Sequence, residues 1–72
     1  MPCGVANCEL FLQKDGSSRT SIRKFYSCIE AQEFAKQSAN REGKYHFEIE
    51  RDGKLVTTID VEVKDGKKNF TS

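Results

Sequence analysis

The sequence predicts an α+β fold: a two-layer ββαββ domain in which a four-stranded, mainly antiparallel sheet carries one helix packed on one face. Three observations lead there. A strand–turn–strand pattern occurs twice, around Asp15-Gly16 and again around Asp52-Gly53. Asp-Gly suits a tight hairpin because the central residues need positive φ, which Gly adopts freely and Asp tolerates. Between the copies, Ser27-Cys28-Ile29-Glu30 forms a capping box that opens a run of helix formers. In the second copy Tyr45, Phe47 and Ile49 alternate with His46, Glu48 and Glu50, the two-residue period of a strand with one wet face.

Taken in order, residues 1–7 make an irregular N-terminal segment with Pro2, Cys3 and Gly4 close together. Glu9 to Lys14 is the first strand, with Leu10 and Leu12 on the core face and Phe11 on the other. Asp15-Gly16-Ser17-Ser18 supplies a turn longer than a minimal hairpin loop. Arg19 to Phe25 returns, placing Thr20, Ile22 and Lys24 on one face and Ser21, Arg23 and Phe25 on the other. Its alternation is blurred, and blurred alternation specifies register weakly.

The helix runs from its Ser27 cap to Glu42, with Cys28, Ala31, Phe34, Ala35 and Ser38 on one stripe. Those residues are mostly small, so the helix lies close on the sheet with Phe34 as its main anchor. Gly43 is expected to end it as a left-handed C-terminal cap. Lys44 to Arg51 is the third strand and Lys54 to Val63 the fourth, with Leu55, Thr57, Ile59, Val61 and Val63 inward. Residues 64–72 read as a polar tail or a third turn, flexible unless Phe70 docks it.

Because the helix carries the chain back, the strands on either side of it run parallel. An all-antiparallel sheet then has order 2-1-3-4 or 1-2-4-3, and a parallel central pair gives 1-2-3-4. The first is preferred. The core comprises Leu10, Leu12, Ile22, Cys28, Ala31, Phe34, Ala35, Tyr45, Phe47, Ile49, Leu55, Ile59 and Val61. That is thin for 72 residues, a size at which one core leaves roughly 3–5 kcal/mol of stability. Open edges and one uncovered face make a homodimer an expectation.

Composition narrows the function classes. Apolar content of 36% and charged content of 32% place the chain among globular domains, so 1–72 is read as a single small domain. Net charge is +1 and the pI about 7.7, below the pI of about 9 that marks dedicated nucleic-acid-binding domains. No apolar run approaches a membrane span and the start lacks a secretory pattern, so a cytoplasmic location and no membrane partner are expected. Three cysteines do not pair completely, which favours reduced thiols.

Candidate chemistry is sparse. Cys3 and Cys8 sit five apart, outside the usual zinc-pair spacing; a small structural zinc site would need Cys28 and His46 to join them. The plainer reading makes Cys8 and Cys28 small buried hydrophobes and Cys3 a loop thiol, with no cofactor. His46, the only histidine, faces outward beside Glu48, Glu50 and a cross-strand Asp60, but no nucleophile or oxyanion donor accompanies it. The chain also leaves little room for a pocket of about 300 Å³ or more. No catalysis is expected.

Binding is the remaining class. Phe11, Arg23 and Phe25 share the non-core parity of the first hairpin, and Lys14, Arg19 and Lys24 lie nearby. The second hairpin presents Glu48, Glu50, Asp60 and Glu62 instead, so the open face is expected to be basic on one half and acidic on the other. Phe11, Arg19, Arg23 and Phe25 are therefore the candidate binding residues. A protein partner is the first reading, as an accessory regulator or inhibitor of a larger complex, and single-stranded nucleic acid the second. The hairpin–helix–hairpin layout resembles short bacterial and phage accessory proteins, some of them small inhibitors of CRISPR complexes. Tyr45, Phe47, Asp52 and Gly53 are similar to the Tyr-x-Phe strands that precede Asn-Gly or Asp-Gly turns in short bacterial repeat domains. These residues are general hairpin chemistry, and the resemblance implies no activity.

Overall fold

The computed structural model describes residues 7–71. The expected irregular stretch of residues 1–6, with Cys3, lies outside the described residues. Strands β1 (Cys8–Lys14) and β2 (Thr20–Phe25) come first, then helix α1 (Cys28–Ser38), then β3 (Gly43–Arg51), β4 (Lys54–Lys64) and β5 (Lys67–Thr71). They form one antiparallel sheet in the order β2-β1-β3-β4-β5. The preferred 2-1-3-4 arrangement is present, extended by a fifth strand. The four-stranded expectation is corrected where a polar tail or third turn was expected: after the turn at Asp65-Gly66, Lys67–Thr71 pair along β4.

One turn chemistry folds all three hairpins. Asp15, Asp52 and Asp65 sit at φ 51°, 53° and 53°, each followed by a glycine of positive φ. Positive φ at both central residues is the type I′ signature, whose twist matches that of the strands it joins. The first turn also ties the sheet together. Asp15 donates its N–H to the Lys44 carbonyl at 2.8 Å, and its Oδ1 accepts from the Lys44 N–H at 2.8 Å.

Helix α1 starts at the expected N-cap, with the Ser27 hydroxyl accepting from the Glu30 N–H at 3.2 Å, the first half of a capping box. It ends four residues earlier than expected. Ala39 leaves helical geometry at φ −81°, ψ 78°, and Gly43 opens β3 instead of capping the helix. The Tyr45 hydroxyl pins the connecting loop, donating to the Arg41 carbonyl at 2.8 Å and accepting from its N–H.

The core lies between the helix and one sheet face. Ala31, Ala35 and Ala39 press against Cys8, Leu10, Phe25, Tyr45, Phe47, Ile49, Ile59, Val61 and Val63. Leu12, Cys28 and Phe34 are partly buried at its margin. Two expected core residues are outside: Ile22 is 40% exposed and Leu55 57%. Both corrections have the same cause. Leu10 pairs with Arg23 but Phe11 with Ser21, so Ile22 is an extra residue in β2. Ile49 pairs with Thr57 but Glu50 with Leu55, so Val56 is an extra residue in β4. Each β-bulge flips the facing of what lies beyond it. That turns Leu55 outward and brings Phe25, expected on the open side, into the core.

Candidate functional site

Among the described residues no element covers the sheet face opposite the helix, and its polar side chains are organised around Phe11. Residues directly opposite in an antiparallel pair share a face. Phe11 therefore stands beside Ser21 on one side and Glu48 on the other, and Glu9 beside Lys24 and Glu50. Arg19, in the long first loop, folds back over this row. Its guanidinium lies 4.0 Å from the Phe11 ring centroid, a cation–π distance. The same group donates to Glu48 Oε1 at 2.8 Å and Glu50 Oε2 at 2.9 Å.

The network continues across β3 to β4. Glu48 Oε2 is 3.2 Å from His46 Nε2, and His46 Nδ1 is 2.5 Å from Asp60 Oδ1. Beside it, Ser21 donates to Glu9 Oε2 at 2.6 Å. Charges follow the contacts. The hydrogen bond to Asp60 raises the His46 pKa above its ordinary 6.5, with Glu48 adding to it and partial burial opposing. Arg19 is the main cause that lowers the Glu48 carboxyl below its ordinary 4.5, against a burial effect of opposite sign and with help from His46. Glu48 and Glu50 in turn hold the Arg19 guanidinium in its charged form.

Both imidazole nitrogens are taken by carboxylates, and a protonated ring donates to each, so neither nitrogen is free to accept a proton from a substrate. Glu48 and Asp60 sit at different nitrogens of the ring and do not converge on a common point. Among the described residues no group of His, Cys, Asp and Glu is placed to hold a metal ion. His46 lies on the open face whereas Cys8 and Cys28 pack on the helix side, so the set proposed for zinc is divided between two faces. Two of the open depressions among the described residues share Thr71 of β5. One of about 270 Å³ adjoins His46, Asp60, Lys44 and Thr71. The other, of about 320 Å³, runs between the helix and β5 along Gln32, Lys36, Ile59 and Phe70. The second exceeds the space expected from the sequence because β5 supplies its wall.

The four candidate binding residues separate into two pairs. Phe11 and Arg19 meet on the open face. Phe25 is buried at 8% exposure, 5.3 Å from the Phe34 ring centroid. Arg23 covers that pair from the helix side, its guanidinium 5.5 Å and 5.8 Å from the two rings. The Ile22 bulge separates them, because it sets Arg23 opposite Leu10. Lys14 likewise lies over Tyr45 at 5.1 Å. The expected basic half of the open face is therefore not assembled. Carboxylates of Glu9, Glu48, Glu50 and Asp60 hold its centre, offset there by Arg19 and His46.

Sequence reasoning missed Glu48 and Glu50 as partners of Arg19, 29 and 31 positions away. The signal was their shared outward parity, which acquires meaning once β1 lies beside β3. Among the described residues no helix is long and apolar enough to cross a membrane. Compared with protein-family models, curated proteins and solved structures, the chain matches none.

Proposed function

We propose that this protein is a non-catalytic protein-interaction module that binds through the open face of its sheet, as an accessory regulator or inhibitor of a larger complex. One observation carries the reading: the network Asp60–His46–Glu48–Arg19–Glu50 is fixed in place on a face that no other element of the described chain covers. Side chains already held by their neighbours lose little freedom on binding, which favours recognition. The central carboxylates select a partner surface that presents basic side chains, since charge complementarity orients and discriminates partners.

The sheet edges support this mode less. The Ile22 bulge disrupts β2, and Lys67 and Lys68 stand on β5. Bulges and edge lysines both discourage strand addition. Single-stranded nucleic acid is the weaker second reading. Its one favourable observation is Arg19 stacked on Phe11, but that guanidinium is already shared between two carboxylates.

The test compares wild type with the double variant Glu48→Lys, Glu50→Lys and with Gln37→Lys on the exposed helix surface. A purified partner first identified by affinity capture is titrated against each. Binding is expected to weaken by roughly tenfold or more for the face variant and to hold for the helix variant. Equal affinity across all three overturns the proposed face. A gel shift at low salt, where phosphate contacts are strongest, is expected to show no binding to DNA or RNA. A shift abolished by Arg19→Ala favours the second reading.

A further inference from the structure

Cys8 and Cys28 are 20 positions apart in the chain, yet their sulfurs lie 2.7 Å from one another. Cys8 begins β1 and is 1% exposed; Cys28 is the first residue of α1 and is half-buried. Both thiols are free in this structure. A disulfide bond is about 2.05 Å long, so bonding requires a small approach of two side chains whose backbones are already set by a strand and a helix. The pair also encloses a weakly held element. The segment between them is the whole first hairpin, including β2, in which only Phe25 is buried. β2 is a sheet edge with a bulge, held by β1 and by that one anchor.

We propose that Cys8 and Cys28 form a reversible dithiol–disulfide site, a redox clip that fastens the start of the helix to the first strand and closes the first hairpin. The co-reactant is a low-molecular-weight disulfide of the glutathione class. Cys28, the more accessible thiol, attacks one sulfur of it as the thiolate, having given up its proton. The small disulfide bond breaks and one small thiol leaves, with a mixed disulfide formed on Cys28. Cys8 then loses its proton and attacks the Cys28 sulfur; the internal bond forms, the mixed bond breaks and the second small thiol leaves. Two electrons pass from the protein to the small disulfide, and the two thiol protons end on its products. Cys8 suits the second step and not the first. Burial, reinforced by the contact with Cys28, pushes its thiol up to about 11, so it stays protonated until the adjacent mixed disulfide offers it a target.

The experiment uses the full chain carrying Cys3→Ser, which leaves only the two thiols in question, equilibrated in glutathione buffers from reducing to oxidising. Expected is a monomeric product lighter by two hydrogens, a linked peptide joining Cys8 to Cys28, and full reversal by excess reduced glutathione. The unfolding midpoint should rise by roughly 10 °C on oxidation, because the bond removes loop entropy from the unfolded chain. Adding Cys28→Ser, a half-buried position that tolerates the change better than Cys8, should abolish the mass loss. A stable glutathione adduct without the internal bond, thiols that remain free in the most oxidising buffer, or disulfide-linked dimers as the only product overturns the site. An internal bond that leaves the midpoint unchanged or lowers it overturns the clip.

Discussion

Glu48 is held from two sides, by Arg19 at 2.8 Å and His46 at 3.2 Å, and this gives the open face a definite response to pH. The Glu48 pKa is lowered in the fold, so its contribution to stability is present above the ordinary 4.5 and is lost as pH falls through the folded value. The His46 pKa is raised, so its contribution is full below the ordinary 6.5 and is lost as pH rises through the folded value. Both contributions are therefore complete between pH 4.5 and 6.5. The groups are partly solvated, with His46 36% and Glu48 23% exposed, which limits each to about 0.3–1 kcal/mol. Urea unfolding of wild type followed from pH 4 to 9 is expected to show stability declining on the alkaline side by roughly that amount. His46→Gln should remove the alkaline decline. Persistence of the alkaline decline in His46→Gln would assign it to another group.

At the scale of elements, hairpin geometry decides what each strand presents, and Gly43 shows how tightly two hairpins are coupled. It opens β3 at φ +141°, a conformation that side-chain-bearing residues rarely adopt. A Cβ there would stand 3.0 Å from Asp15 Oδ2 and 3.1 Å from Lys14 Cε. Asp15 cannot yield freely, because its Oδ1 accepts the Lys44 N–H. Gly43→Ala is expected to cost about 1–3 kcal/mol through backbone strain, measured by urea unfolding, whereas the same change at an unstrained position would be neutral or stabilising. Legibility from sequence follows the same geometry. β3 was readable because its Tyr45-Phe47-Ile49 alternation runs through without an added residue. β2 and β4 each spend one residue on a bulge, and an unpaired sequence does not show which; Ile22, Phe25 and Leu55 were misplaced for that reason. The last four residues of the expected helix were over-read because Ala39, Arg41 and Glu42 are good helix formers that the chain uses in a loop closed on Tyr45. β5 lacked an apolar alternation, and its signal was the third Asp-Gly. Of the site, Phe11 and Arg19 were found together, and the carboxylates that hold Arg19 required the strand order.

For the whole molecule, the decisive fact is that a single 11-residue helix covers one face of a five-stranded sheet in a body 48 Å long. Burial concentrates where the helix lies, on Phe47, Leu10, Ile49, Val61 and Cys8. Phe47 is 1% exposed at the middle of β3, opposite Leu12 on β1 and Ile59 on β4. Truncating a phenylalanine in such a position costs about 3–5 kcal/mol, as much as the stability a core of this size leaves. Phe47→Ala is therefore expected to be largely unfolded at 25 °C, seen as loss of the far-ultraviolet dichroism and of the cooperative urea transition. Leu55→Ala is its counterpart. Uninterrupted alternation through β4 would turn Leu55 inward, and its loss would cost about 2–5 kcal/mol. The Val56 bulge turns it outward, opposite Glu50 and 57% exposed, where surface substitutions stay within about 0.5 kcal/mol. Measured side by side, the pair tests the register of the second hairpin. A Leu55→Ala cost of about 2 kcal/mol or more would return Leu55 to the core and remove the bulge that sets the facing of the β4 start.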